Sequence, residues 1–159
     1  MTSDQRPVTC FVVRLLVGVV VVGLVASAGR ADPTTDYILN CRGCHAPDGS
    51  GAPGGAPSFR GQVGKFLWVP GGREYLIRVP GTSQSELSDA RVAALLNWIV
   101  HAFSPGETAA DFVPFTEAEV ARHRRPPLAD PGRMRRELMR AIALREGAAA
   151  EPESAGTQR

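Results

Sequence analysis

Cys41-Arg42-Gly43-Cys44-His45 decides the fold, because this stretch has the C-x-x-C-H spacing with which haem is attached covalently to protein. Two thiols three positions apart on a helical turn can each add to one of the two haem vinyl groups. The histidine after the second thiol is then held beneath the porphyrin, where its imidazole can bind the iron. The pentapeptide therefore predicts one covalent haem c, joined to Cys41 and Cys44, with His45 as an axial iron ligand.

Three other uses of paired cysteines fit the sequence less well. A thioredoxin-like redox pair belongs at the start of a helix that follows a strand, and no β-α-β pattern surrounds Cys41. A structural zinc site needs four ligands, whereas the only other histidines, His101 and His123, have no partner spacing. A structural disulfide would leave the adjacent histidine unexplained. Haem attachment accounts for both cysteines and the histidine together.

The N-terminal residues have the order of an export signal. Residues 15–26 form an uncharged apolar run, Arg6 precedes it and small residues follow it, which predicts a cleaved signal peptide at residues 1–31. The alternative is an uncleaved membrane anchor, because the run extended back to Phe11 reaches roughly the 18 residues that a membrane span needs. An exported chain of this kind is expected in the periplasm, where free thiols are normally oxidised.

Length and charge indicate one small domain without a nucleic-acid partner. The chain has 159 residues, of which 43% are hydrophobic, and this is enough for a single globular core. Its formal net charge of +2 is too mild for nucleic-acid binding, and no basic stripe interleaved with aromatic residues occurs. We expect contact with a membrane only if the leader is retained.

Capping residues and apolar periodicity predict several helices. The clearest runs from Ser88 to Phe103, because its apolar residues lie within about 60° of one another around the helix axis. Two Asp-Pro pairs each provide a cap and a first-turn proline, and one Thr-x-x-Glu has the spacing of a capping box. The predicted helices are residues 34–40, 73–79 and 88–103, a short helix from Thr116, and a last helix from Asp130-Pro131 whose apolar side is Met134, Leu138, Ala141 and Ile142.

Proline and glycine divide the chain after the leader. Pro105-Gly106 separates a haem domain at residues 32–103 from a helical extension at residues 104–146. Residues 147–159 lack apolar periodicity, so we expect a disordered tail there. Residues 46–64 are rich in glycine and proline, and this composition taken alone favours a flexible linker.

From about Tyr37 to Phe103 the chain resembles a small class I cytochrome c. The resemblance rests on a helix that leads into C-x-x-C-H, a glycine- and proline-rich loop and a closing amphipathic helix. It implies an all-α fold wrapped around one haem, with residues 46–64 as an ordered loop along the haem edge. In this family a proline about a dozen residues past the histidine accepts a hydrogen bond from the imidazole, and Pro57 stands at that place. Trp98 matches an aromatic residue that packs near Tyr37.

The sixth iron ligand departs from the family pattern. The family usually supplies a methionine before the last helix, but Val79-Pro80 occupies that segment and no methionine lies between residues 46 and 133. The sequence therefore leaves the sixth ligand unknown, and five-coordinate iron stays open. Five residues remain as candidates, each with another role: His101 faces solvent, His123 belongs to a solvated basic stretch with Arg124 and Arg125, Met134 packs on the core, Met139 lies at the edge of that apolar side, and Lys65 is charged.

The resemblance implies an electron carrier rather than an enzyme. A small cytochrome passes single electrons between periplasmic redox proteins, of which the donor by analogy is a dehydrogenase. The alternative is a haem enzyme or a gas-binding sensor with an open sixth coordination position, favoured only by the missing methionine. No paired distal histidine and arginine of the kind that marks a peroxidase can be recognised in the sequence.

Overall fold

A computed structural model describes residues 32–108 and 111–150 of the chain. The predicted signal peptide at residues 1–31 lies outside these residues, as does the part of the predicted tail from residue 151 onward. Within the described ranges no helix is both long enough and apolar enough to cross a bilayer.

Regular structure in the described ranges is helical, and no strand occurs there, so the predicted all-α class is confirmed. One 3₁₀ helix and seven α-helices form it. In chain order these are α1 (Pro33–Asn40), α2 (Arg42–His45), the 3₁₀ helix (Val63–Trp68), α3 (Gly72–Arg78), α4 (Pro80–Ser83), α5 (Asp89–Phe103), α6 (Glu117–His123) and α7 (Pro131–Ala150).

The helices begin where capping side chains predict. Asp32, Ser88, Thr116 and Asp130 each accept a hydrogen bond through a side-chain oxygen from a backbone N–H two or three residues ahead. Each bond satisfies a donor that the first helical turn leaves without a partner. Local chemistry therefore fixes the starts of α1, α5, α6 and α7.

Three features differ from the sequence-based expectation. The 3₁₀ helix at Val63–Trp68 was not predicted, because the glycine- and proline-rich composition of residues 46–64 indicated a loop. Helix α3 ends at Arg78, before Pro80-Gly81, as expected, but Pro80 also begins a further helix, α4, because proline is well suited to the first position of a helix. Helix α7 continues to Ala150, so residues 147–150 are helical where the disordered tail was expected. Three alanines after Gly147 favour that continuation.

Helix α5 forms the centre of the core. Its predicted apolar stripe is buried, with Val92 only 1% exposed and Ile99 only 4% exposed. The ring of Trp98 packs on that of Tyr37 with 5.3 Å between their centroids, as the family resemblance implied. Helices α1 and α5 therefore pack against each other beside the C-x-x-C-H motif.

The helical extension shares this core. Phe115, Val120, Leu138 and Ile142 are all buried, and none of them belongs to the predicted haem domain. Asn97 of α5 holds the backbone of Phe115 at both ends, donating to its carbonyl at 3.0 Å and accepting from its N–H at 2.7 Å. The described residues between Asp32 and Ala150 accordingly form one compact unit.

An ion pair between α3 and α6 ties the extension to the haem domain. The Arg73 guanidinium donates to both carboxylate oxygens of Glu119, at 2.7 and 2.6 Å. These hydrogen bonds hold the pKa of Glu119 below its usual value. A lowered carboxyl pKa contributes stability that is complete above the unfolded value of about 4.3 and is lost as the pH falls through the folded value.

We therefore expect Glu119→Gln to lower the free energy of unfolding at pH 7 by about 1 kcal/mol. Between pH 7 and pH 3 the variant should lose less stability than the parent protein, because its amide does not titrate. Chemical unfolding at several pH values measures both effects. Glu137→Gln is the control, since its ion pair with Arg133 is long, at 3.4 Å, and exposed. Equal pH profiles for Glu119→Gln and the parent would contradict the assignment.

Candidate haem site

The C-x-x-C-H motif lies where one helix ends and the next begins. Cys41 caps the C-terminus of α1 and directly precedes the single turn of α2. The backbone N–H groups of Cys44 and His45 both donate to the carbonyl of Cys41, at 3.1 and 3.0 Å. Both sulfur atoms and the imidazole are therefore carried on one helical turn, which is the arrangement that attachment of a single porphyrin requires.

His45 is held by the loop that follows it. Its Nδ1 lies 3.0 Å from the carbonyl oxygen of Pro57, the contact that the family resemblance implied. A carbonyl can only accept, so Nδ1 carries the proton and Nε2 keeps its lone pair for a metal. Burial lowers the pKa of His45, and the bond to Pro57 opposes this in part. The neutral imidazole, the form that binds iron, is the favoured state at neutral pH.

Burial also determines the state of Cys41. It raises the pKa of the Cys41 thiol to about 11, with smaller contributions from Asp36 and Cys44. Redox-active cysteines of the thioredoxin type have a lowered pKa, because the thiolate is the reactive form. The environment of Cys41 thus argues against the thioredoxin-like alternative.

Residues 46–64 form an ordered loop, as the resemblance implied, and the linker that composition alone favoured is wrong. The Tyr37 hydroxyl donates to the carbonyl of Ala46 at 2.6 Å and fixes the start of the loop. Within it, the N–H of Gly51 donates to the carbonyl of His45 at 3.0 Å, and the N–H of Phe59 donates to that of Gly49 at 2.8 Å. Glycine here permits close backbone approach instead of mobility.

Gly51 sets the position of the Pro57 carbonyl. Its φ is +73°, and a Cβ atom there would lie 2.4 Å from the carbonyl oxygen of Ala56 and 2.8 Å from the carbonyl carbon of Pro57. We expect Gly51→Ala to lower the free energy of unfolding by about 2 kcal/mol, since strain and steric overlap combine. It should also disturb the hydrogen bond from His45.

Gly54→Ala is a matched control for that prediction. Gly54 has nearly the same φ, +71°, but a Cβ there would have nothing within 4 Å. Chemical unfolding of both variants therefore separates the backbone penalty, which they share, from the overlap with Pro57. If the two variants were equally stable, Gly51 would have no special role in placing the carbonyl.

An apolar cavity of about 350 Å³ adjoins the motif. Cys41, Cys44, His45 and Pro57 line one part of it. Side chains of the 3₁₀ helix, α3 and α5 line much of the rest, including Phe66, Leu76, Val92, Leu95, Leu96 and Ile99, and residues of α4 and α7 also contribute. A largely hydrophobic cavity with one imidazole and two thiols has the donor set and polarity that a haem needs. The residues present therefore fit the predicted cofactor.

Comparison with known proteins agrees with this geometry. The chain is 35% identical to a cytochrome c-552 of Thermus thermophilus over 129 residues, which cover 70% of this chain and 86% of that protein. A second cytochrome c-552 of Thermus thermophilus is 36% identical over 113 residues, covering 60% of this chain and 86% of the relative. No family model matches the chain. This chain belongs to the class I cytochrome c family.

Membership in this family makes the chain a c-type haem electron carrier, with covalently bound haem c and its iron as the cofactor. The attachment of the haem at Cys41 and Cys44 and the ligation by His45 remain the assignments that motif and geometry favour. The site of this cytochrome uses α1, α2 and the ordered loop to present these groups.

The sixth-ligand candidates of the cytochrome lie away from the cavity. Among the described residues that line it, His45 is the only histidine, and no methionine or lysine is present. The candidates make other contacts or lie elsewhere: Lys65 Nζ pairs with Glu146 at 2.7 Å, exposed His101 meets the edge of the Phe112 ring, Met134 and Met139 pack on the core, and His123 is half-buried at the end of α6. The sixth coordination position therefore has no assigned side chain.

Three residues at or near the cavity have positions that the sequence did not predict. Arg124 was expected on a solvated basic face, but it is only 6% exposed and bonds to the segment between α4 and α5. Its acceptors are backbone and side-chain oxygens 35 to 41 residues earlier in the chain, which no local pattern reveals. Tyr75 of α3 and Arg135 of α7 line the cavity itself. Arg135 is one of several arginines in α7, and only its packing in the folded chain distinguishes it from the others.

Proposed function

We propose that this cytochrome is an exported, periplasmic one-electron carrier whose haem is joined to Cys41 and Cys44 and ligated by His45. The observation that carries the proposal is the His45 imidazole, fixed by the Pro57 carbonyl at the wall of an apolar cavity that both cysteines also line. When bound, the haem supplies a reversible Fe(III)/Fe(II) couple. The residues of the chain fix its position and its environment.

The chain contributes to electron transfer in three ways. The hydrogen bond to Pro57 orients the imidazole and increases its basicity toward a metal. The apolar walls exclude water, so little solvent has to reorient when the charge of the haem changes. This keeps the reorganisation energy of electron transfer small. Cys44 is exposed whereas Cys41 is half-buried, so the cofactor edge attached to Cys44 would lie at the surface. A redox partner needs such an edge for close approach.

The partners we propose are periplasmic redox proteins, including a dehydrogenase as donor. The predicted export signal supports this location, because attachment of haem to C-x-x-C-H is expected after export. A membrane enters the proposal only through an uncleaved leader.

One observation favours a second candidate function, a haem enzyme or gas-binding sensor with an open sixth coordination position. None of the candidate ligands among the described residues lines the cavity, so the structure identifies no side chain that would compete with an external ligand. An open position would allow oxygen, nitric oxide or peroxide to reach the iron.

Two measurements on the purified holoprotein separate these functions. A potentiometric titration followed in the visible spectrum should show a single, fully reversible one-electron transition. Carbon monoxide added to the reduced protein should leave the spectrum unchanged if the cytochrome is an electron carrier. Ready binding of carbon monoxide would contradict this proposal and support the second candidate function, in which the sixth coordination position is open. His45→Ala is the control, since it should keep the covalent haem but change the Soret band and spin state.

A further inference from the structure

Arg135 of α7 is the one charged side chain that lines the cavity, apart from the groups of the C-x-x-C-H motif, among the residues described. No aspartate or glutamate in that part of the chain lines it. The guanidinium of arginine carries a positive charge and offers only hydrogen-bond donors. A lone positive charge beside apolar walls is unfavourable unless an anion neutralises it.

Arg135 also differs from the other arginines that line helix interfaces. Arg73, Arg78, Arg91 and Arg124 each form an ion pair with an aspartate or glutamate. Within the described residues, Arg135 has neither an ion pair nor a hydrogen bond, although it is half-buried. Its donors are therefore free for a ligand in the cavity.

Tyr75 of α3 is a second polar side chain in the wall of this cavity, where it is only 6% exposed. Burial raises the pKa of Tyr75, and the positive charge of Arg135 opposes that shift. The hydroxyl donates no hydrogen bond to any residue described. A guanidinium and a phenol that share one cavity make a donor set for a carboxylate.

We infer that Arg135 and Tyr75 bind a carboxylate of the haem, so that the C-terminal helix α7 is part of the haem site and raises the reduction potential. The inference rests on the haem site proposed above. Haem carries two propionate carboxylates, and an arginine fork matches the geometry of such an anion. Arg135 is then a positioning residue, with a second effect through its charge.

The test is the reduction potential of Arg135→Gln at pH 7. Loss of a positive charge near the iron favours the ferric state, so the ferric-to-ferrous ratio at a fixed solution potential should rise roughly threefold to tenfold. The variant should also gain a pH dependence of the potential between pH 5 and 8, because an unpaired carboxylate titrates closer to neutrality. Besides Arg135, Tyr75, His45 and the two cysteines are the titratable groups of the described residues that face this space.

Arg136→Gln is the matched control, because Arg136 is the next residue of α7, carries the same charge and is exposed. Tyr75→Phe should shift the potential in the same direction by a smaller factor, and Arg135→Lys should restore most of it. An Arg135→Gln potential equal to that of Arg136→Gln would overturn the inference while leaving the one-electron couple intact. Absence of any reversible couple in the parent would instead overturn the proposed function. A Soret band and thermal stability equal to those of the parent show that each variant has folded.

Discussion

Cys41→Ala combined with Cys44→Ala is expected to yield a chain that carries no covalent haem and is largely unfolded. Without thioethers the cofactor has no covalent link, and the apolar cavity of about 350 Å³ is left without its ligand. Loss of one large aromatic side chain from a core costs about 3 to 5 kcal/mol, and a haem is larger than any side chain. Such a cost is comparable with the whole free energy of unfolding of a small domain, about 5 to 15 kcal/mol.

Haem staining after denaturing gel electrophoresis and far-ultraviolet circular dichroism measure the two effects. The single variant Cys44→Ala is the control, because one thioether at Cys41 keeps the stain on the chain. Covalent haem in the double variant would show that attachment does not use this motif. A fully helical apoprotein would show that the cavity does not need its ligand for stability.

Arg124→Ala is expected to have the largest effect of any substitution outside the motif. Arg124 follows α6 and donates to the carbonyls of Ser83 at 3.1 Å and Leu87 at 2.7 Å, and to Asp89 Oδ1 at 2.8 Å. It also bonds to the hydroxyl of Ser85 at 3.0 Å and to the Ser85 carbonyl. Removing the guanidinium leaves these buried and half-buried acceptors without a donor, which should cost about 3 to 5 kcal/mol.

The segment that Arg124 holds has a special place in this cytochrome. It lies between α4 and α5, close to the position from which the family usually supplies a methionine, and Ser85 lines the cavity. Arg124 therefore fixes a wall of the haem site from the extension. Removal of the extension should consequently affect the site itself, in addition to uncovering apolar surface.

Denaturant unfolding of the holoprotein tests the role of Arg124. Arg122→Ala is the control, since Arg122 is exposed in the last turn of α6 and its loss should change the free energy of unfolding by less than about 0.5 kcal/mol. Arg124→Lys should recover only part of the loss, because an ammonium cannot reproduce the planar fork. A loss for Arg124→Ala as small as that for Arg122→Ala would contradict the network.

Local chemistry explains why much of the fold could be predicted. The cap at Ser88 and the stripe from Val92 to Ile99 are properties of a single helix, and both were read correctly from neighbouring residues. The motif residues are consecutive, so their joint placement on one turn also needs no tertiary information. Pro57 was found only through the family resemblance, since nothing in its own neighbourhood indicates a partner twelve residues away.

The remaining features depend on contacts between distant parts of the chain. Arg124 and Arg135 stand among similar arginines, and their burial follows from how α6 and α7 dock. Helix α3 ends before Pro80-Gly81 as predicted, but the sequence did not indicate that Pro80 also begins α4. The sixth iron ligand could not be predicted for the same reason, because it depends on which side chains the fold brings to the cavity.

Tryptic peptide mapping of the purified holoprotein tests the central claim most directly. Trypsin cleaves after Arg42, between the two cysteines, and next after Arg60. If both cysteines carry the haem, the peptide that ends at Arg42 and the peptide of residues 43–60 should stay joined, with their summed mass increased by one haem. Two separate peptides with unmodified cysteines, or haem on only one of them, would contradict attachment through Cys41 and Cys44.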